Sequence, residues 1–164
     1  MKFTIPFSPV SAARPNWSNK NGRATRAYMP KKYAEYRRQV GAWFENWLKE
    51  TDYQLVKELY RLPNGELVKD PDTGKLNLNF LGYDLNIIFY VPTANYDIRP
   101  FPLTAQSSDL DNYYKGVTDA IFESDSVKNV ASLNDRWIQR STMLKVACKK
   151  GEGKTVVDLK QLQL

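Results

Sequence analysis

Residues 109–115 read DLDNYYK, and Asp109, Asp111, Asn112 and Lys115 are the side chains best placed for chemistry in this chain. Two carboxylates one residue apart offer oxygen ligands to a hard cation, and Mg2+ typically takes one or two carboxylates and keeps several waters. A lysine one helical turn beyond Asp111 can stabilise charge on a reacting phosphate. The same residues can instead begin a helix, with Asp109 as the cap, Asp111 complementing the dipole, and Asp111 and Lys115 as a surface ion pair. The motif in isolation leaves both readings open. Composition then narrows the chemistry. The 164 residues include no histidine, which removes Ser-His-Asp and Cys-His catalysis and the usual zinc sites. Carboxylates, lysine, tyrosine and metal-bound water remain. Cys148 is the single cysteine; it excludes an internal disulfide, and its place in MLKVAC reads as a buried thiol rather than a nucleophile.

Charge is unevenly distributed. The net charge is +6, yet residues 1–50 hold 10 Lys and Arg against 3 Glu, so the excess lies in the first third of the chain. This asymmetry points to a polyanion, most often nucleic acid. No apolar run reaches membrane-spanning length and MKFTIPFSPV lacks a signal-peptide core, which predicts a cytoplasmic protein with no membrane partner.

The elements that must position DLDNYYK follow from periodicity. FTIPF places Phe3, Ile5 and Phe7 at period two, a first strand. Residues 8–29 are rich in Ser, Asn, Arg and Gly and read as a long loop with turns at Pro15 and Asn21-Gly22. Pro30 sits as an N1 proline before a helix to Lys49, with Tyr33, Tyr36, Val40, Trp43, Phe44 and Trp47 as its apolar stripe. Turn signals at 63–65 and 71–74 make 53–80 an irregular hairpin insertion. GYDLNIIFYVP is a second main strand. A helix from about Leu110 follows, with Leu110, Tyr114, Val117 and Ile121 buried, and RWIQRSTMLKVAC and TVVDLKQL close the chain as strands. The order β-α-(hairpin insertion)-β-α-β-β predicts one α+β domain over 1–164, with two main helices on a mixed sheet.

On such a helix Asp111, Lys115 and Asp119 form one polar line, and Asp109 can turn toward the same point. The run DLDNYYKGVTDAIF resembles the D-x-D-N-x-x-K-x-x-x-D-A-[LI] signature of the RusA family of Holliday junction resolvases, phage-associated endodeoxyribonucleases. The resemblance continues in IPFSPVSAARPN, in YMPKKYAEYRRQV and in NDRWIQRSTMLK, and covers nearly everything except 53–80. It implies metal-binding carboxylates at Asp109, Asp111 and Asp135, an essential lysine at Lys115, and the helix aspartate at Asp119. It also implies a Mg2+ cofactor with Mn2+ as a substitute, branched DNA as substrate, a homodimer, and hydrolysis leaving 5′-phosphate and 3′-hydroxyl ends in a bacterial host cytoplasm. The chain departs from the pattern twice. The stretch AIFESDSVKNVASL is longer and holds a competing carboxylate, Asp125, and Asn134 stands where many relatives carry a second aspartate.

Arg14, Lys20, Arg23, Arg26, Lys31 and Lys32 are the expected phosphate contacts, because a basic segment gains affinity by counterion release without reading sequence. Trp17 and Tyr28 among them fit either packing anchors or stacking on an opened base. Three alternatives share these features: a non-catalytic DNA-binding module, a Mg2+-dependent nuclease for flaps or other substrates, and a basic assembly protein whose carboxylates only cap helices.

Overall fold

The computed structural model describes residues 1–13, 16–20, 23–103, 107–124, 127 and 133–164, and at 16–20 and 23–27 the backbone alone. Strand β1 (Lys2–Ile5) buries Phe3 and Ile5. It ends at Pro6, which has no N–H for the ladder, so Phe7 falls outside the strand and packs at the margin of the core. Within the expected loop of residues 8–29 the chain forms two antiparallel strands, β2 (Asn16–Lys20) and β3 (Arg23–Tyr28). Period-two apolarity could not reveal them, because NWSNK and RATRAY contain almost no apolar alternation. The pairing of Lys20 with Arg23 leaves two residues between the strands, the spacing of an Asn-Gly hairpin.

Helix α1 (Lys31–Glu50) starts one residue after Pro30, which is its N-cap rather than its first turn. Its buried face is Tyr33, Tyr36, Val40, Phe44 and Leu48; Trp43 and Trp47 lie partly exposed beside them, against Phe3. The backbone then turns through Asp52 and Tyr53, both at positive φ, into a short helix α2 (Gln54–Tyr60) that buries Leu55 and Leu59. The first part of the 53–80 insertion is therefore helical, two apolar positions four apart being enough to dock about two turns. Its remainder keeps antiparallel bridges, Arg61 with Leu67 and Lys69 with Leu76, around the two turns.

Strand β4 (Tyr83–Pro92), helix α3 (Leu110–Phe122), strand β5 (Ile138–Cys148) and strand β6 (Lys154–Gln161) complete the chain. The sheet order is β1-β6-β4-β5, with β4 and β5 parallel and the other pairs antiparallel. Parallel pairing requires a crossover, and α3 provides it. The fold is a single α+β domain with a mixed sheet. Leu85, Ile87, Phe89 and Val91 alternate along β4 onto the core face, where Tyr113, Val117 and Ile121 of α3 meet them. Burying each such side chain contributes about 1.5–3 kcal/mol, so the face of α3 opposite Asp111 fixes the helix on the sheet.

Candidate metal centre at the entrance of α3

Asp109 occupies the N-cap position of α3 with extended backbone, yet its side chain makes no cap hydrogen bond. Asp111 lies in the first turn. Both are exposed, and among the described residues neither carboxylate has a hydrogen-bond or ion-pair partner. The Asp111–Lys115 pair expected of a plain surface helix is not formed. Lys115 instead donates to Asp119 at 3.0 Å, and the other Asp119 oxygen accepts from the buried Tyr33 hydroxyl at 2.7 Å. Burial, and next the hydrogen bond to Asp119, push the Tyr33 phenol well above its ordinary pKa, so it stays a proton donor. Asp119 is thus held from α1, with a side chain 12% exposed, whereas that of Lys115 is 66% exposed. An i,i+4 pair of this kind contributes about 0.3–0.5 kcal/mol. A charge-assisted bond to a phosphate is worth about 1.5–3 kcal/mol, enough to draw the ammonium off Asp119.

Three contacts fix the entrance of α3. Lys145 on β5 donates to Ser107 Oγ at 3.2 Å and to the Ser108 carbonyl at 2.8 Å. The Ala12 N–H donates to the Asn112 carbonyl at 2.8 Å, tying the segment after β1 to the first turn of α3. That approach depends on Gly116: a Cβ there would stand 2.4 Å from the Val10 carbonyl oxygen and 3.3 Å from the Ala12 nitrogen. Sequence reasoning missed Gly116 and the roles of Tyr33 and Lys145. The glycine directly after Lys115 in an otherwise good helix was the available signal, since mid-helix glycine costs about 1 kcal/mol and marks a close approach.

Asp135 opens a single 3-10 turn, Asp135–Trp137, just before β5. The turn is pinned by Trp137, which packs edge-on to Phe80 and Tyr83 at the start of β4. Lys145 lies seven residues beyond Ile138 on β5, roughly 23 Å of strand, so Asp135 does not sit beside Ser108. It does face α3: its charge, with burial as the larger cause, raises the pKa of the Tyr114 phenol, which Ser141 holds from β5. Among the described residues no group of three or more Asp, Glu, His or Cys side chains is gathered for a metal. Asp109 and Asp111 stand one residue apart at the entrance of α3, and Asp135 at the turn before β5. The pair still suits Mg2+, which needs no more than two carboxylates when water fills the remaining positions. Asp125 and Arg14 lie outside the described residues.

Of the expected phosphate contacts, Lys31 and Lys32 are exposed on the first turn of α1, which contains no acidic residue. Cations at a helix N-terminus oppose the dipole, so helix stability does not account for them. Lys20, Arg23 and Arg26 fall on β2 and β3, where only the backbone is described. Arg37 of α1 is taken up by Glu123 at the end of α3, while Arg38, exposed, lines a groove between the two helices with Met29 and Asp119.

Residues 6–60 match the model of a family described as endodeoxyribonuclease RusA. Over those residues the chain is similar to the RusA family. The match spans β2, β3, α1 and α2, about a third of the chain, and ends before α3. No curated protein matches the chain. RusA proteins are endodeoxyribonucleases that act on branched DNA junctions and generally need a divalent metal. None of its described helices is long and apolar enough to cross a membrane.

Proposed function

We propose that this chain is a Mg2+-dependent, structure-selective endonuclease of the RusA family that resolves four-way DNA junctions by paired, symmetric nicks. The observation that carries the reading is the pair Asp109 and Asp111, two exposed carboxylates with neither a capping nor an ion-pair role among the described residues. Like charges one residue apart at a helix entrance repel one another, and a cation relieves that repulsion. Asp109 and Asp111 would hold Mg2+, which would supply charge neutralisation at the scissile phosphate and a more acidic bound water. Lys115 leaves Asp119 for the phosphate and stabilises the charge that builds in the transition state. Asp119, fixed by Tyr33, returns the lysine to the same place after each turnover. Asp135 acts as an outer acidic group reached across the Tyr114 hydroxyl, so Asp135→Asn should slow cutting less than Asp111→Asn. Equal losses would put Asp135 in the inner set. Full activity in Asp135→Asn together with loss in Asp125→Asn would move the third carboxylate to Asp125.

The basic β2–β3 segment with Lys31 and Lys32 holds the DNA backbone without reading sequence. Two opposed strands must be cut on a nearly two-fold substrate, which calls for a symmetric homodimer. We place its action in a bacterial cytoplasm, from a phage or prophage gene. The decisive experiment offers a synthetic four-way junction, a matched linear duplex and a flap, with Mg2+ and with EDTA. Paired symmetric nicks on the junction alone, dependent on Mg2+, are expected. Tight binding without cutting under any divalent metal would leave a DNA-binding module, and preferred cutting of the flap would change the substrate class.

A further inference from the structure

Between β4 and the entrance of α3 the chain runs through Tyr96, Ile98, Phe101 and Leu103, which are 41%, 76%, 49% and 77% exposed. Four large apolar side chains on one short segment are an unusual use of surface. The segment is also firmly placed. Its stem is tied to β5 by the Thr93 N–H donating to the Cys148 carbonyl at 3.0 Å, and its far side by the Ala147 N–H donating to the Pro100 carbonyl at 2.8 Å. Ile98 and Arg99 close a turn onto the Asn95 carbonyl at 3.2 and 2.9 Å. Pro102 is buried between exposed Phe101 and Leu103, and two prolines restrict the backbone further. This is a rigid apolar projection.

Its position gives it a partner. Pro100 is docked at Ala147 and the α3 entrance at Lys145, two residues away on the same strand, or about 7 Å. The tip and the entrance of α3 are therefore anchored at the same end of β5, a separation of a few 3.4 Å base steps. Side chains such as Ile, Leu, Phe and Pro serve as wedges between base steps, where they unstack and kink a duplex. Asp97 and Arg99 leave the tip electrically balanced, so stacking rather than charge would supply its grip. The four side chains together expose roughly 500 Å2, well below the roughly 800 Å2 per partner of a stable protein interface. Resting on the nuclease reading above, we propose that the 96–103 tip is a DNA wedge that inserts between unpaired or loosely stacked bases at the branch point and holds it open beside the metal centre.

The test uses junctions carrying 2-aminopurine at the branch point, bound in EDTA so that no strand is cut. Wild-type protein should raise the emission as bases unstack. The Ile98→Ser/Leu103→Ser variant, its fold verified by circular dichroism and its melting temperature, should lose that rise and bind the junction about tenfold more weakly, with duplex affinity unchanged. An equal rise in variant and wild type would overturn the wedge. So would a variant that falls from dimer to monomer, which would assign the tip to a second copy of the chain. Wild-type protein without preference for the junction would instead sink the junction reading and the wedge with it.

Discussion

Replacing Asp109 by Ala separates a metal ligand from a helix cap without measuring activity. A capping aspartate contributes about 1 kcal/mol, and its loss would lower the melting temperature of a chain this size by roughly 2–4 °C. The Asp109 side chain makes no cap bond, so Asp109→Ala should melt within about 2 °C of wild type in EDTA. Asp111 lies in the first turn of α3 and should lose only its dipole term, about 0.3–1 kcal/mol, when changed to Asn. Relief of its repulsion with Asp109 offsets part of that. Mg2+ that binds only the folded chain adds RT ln(1 + [L]/Kd), about 1.4 kcal/mol at ten times its Kd, or roughly 3–6 °C. Wild type should show this increment and both variants should lose most of it. The assay is thermal unfolding followed by circular dichroism, with EDTA and across a Mg2+ titration. A Mg2+ increment preserved in Asp109→Ala, combined with a drop of several degrees in EDTA, would refute the argument and restore Asp109 as a cap.

Lys115→Ala should slow junction cutting by about 100-fold with binding within a few-fold, measured by single-turnover cleavage beside a gel-shift titration; a parallel loss of folding would give the lysine a structural role. Gly116→Val should cost about 1–3 kcal/mol by overpacking against Val10 and Ala12, read by urea unfolding, whereas a neutral effect would mean that the 10–12 segment leaves α3 freely. The hydrogen bond from Arg140, opposed in part by burial, holds the Asp84 carboxyl below its usual range. A depressed carboxylate adds stability above its unfolded pKa, about 4, that is lost as pH falls through the folded value. Asp84→Asn should thus flatten the acid limb of the stability curve below about pH 4, and an unchanged limb would show that other carboxylates carry it.

The strands and helices that pack the core were legible because burial writes a period into the sequence. Leu85, Ile87, Phe89 and Val91 alternate, and Tyr33, Tyr36, Val40 and Phe44 repeat at helical spacing. The β2–β3 pair was not legible, because NWSNK and RATRAY are paired through the backbone, which leaves no side-chain period. At the candidate site, Asp109, Asp111 and Lys115 could be singled out by type and spacing. Partners distant in sequence could not: Tyr33 reaches Asp119 across 86 residues, and Lys145 reaches Ser108 across 37. The placement of Asp135 depended on the length of the α3–β5 connection and on the packing of Trp137, neither of which a motif records.

Strand β6, the last element along the chain, lies between β1 and β4 rather than at a margin of the sheet. During synthesis β1 and β4 emerge from the ribosome long before the strand that joins them, so each presents an open edge to other nascent chains until about residue 161 is available. A translation product that stops before Lys154 would lack the middle of its sheet and leave Phe3, Ile87 and Leu85 without their neighbours Val157 and Leu159. The sheet would therefore close late and all at once, when its last strand enters between two that are already made.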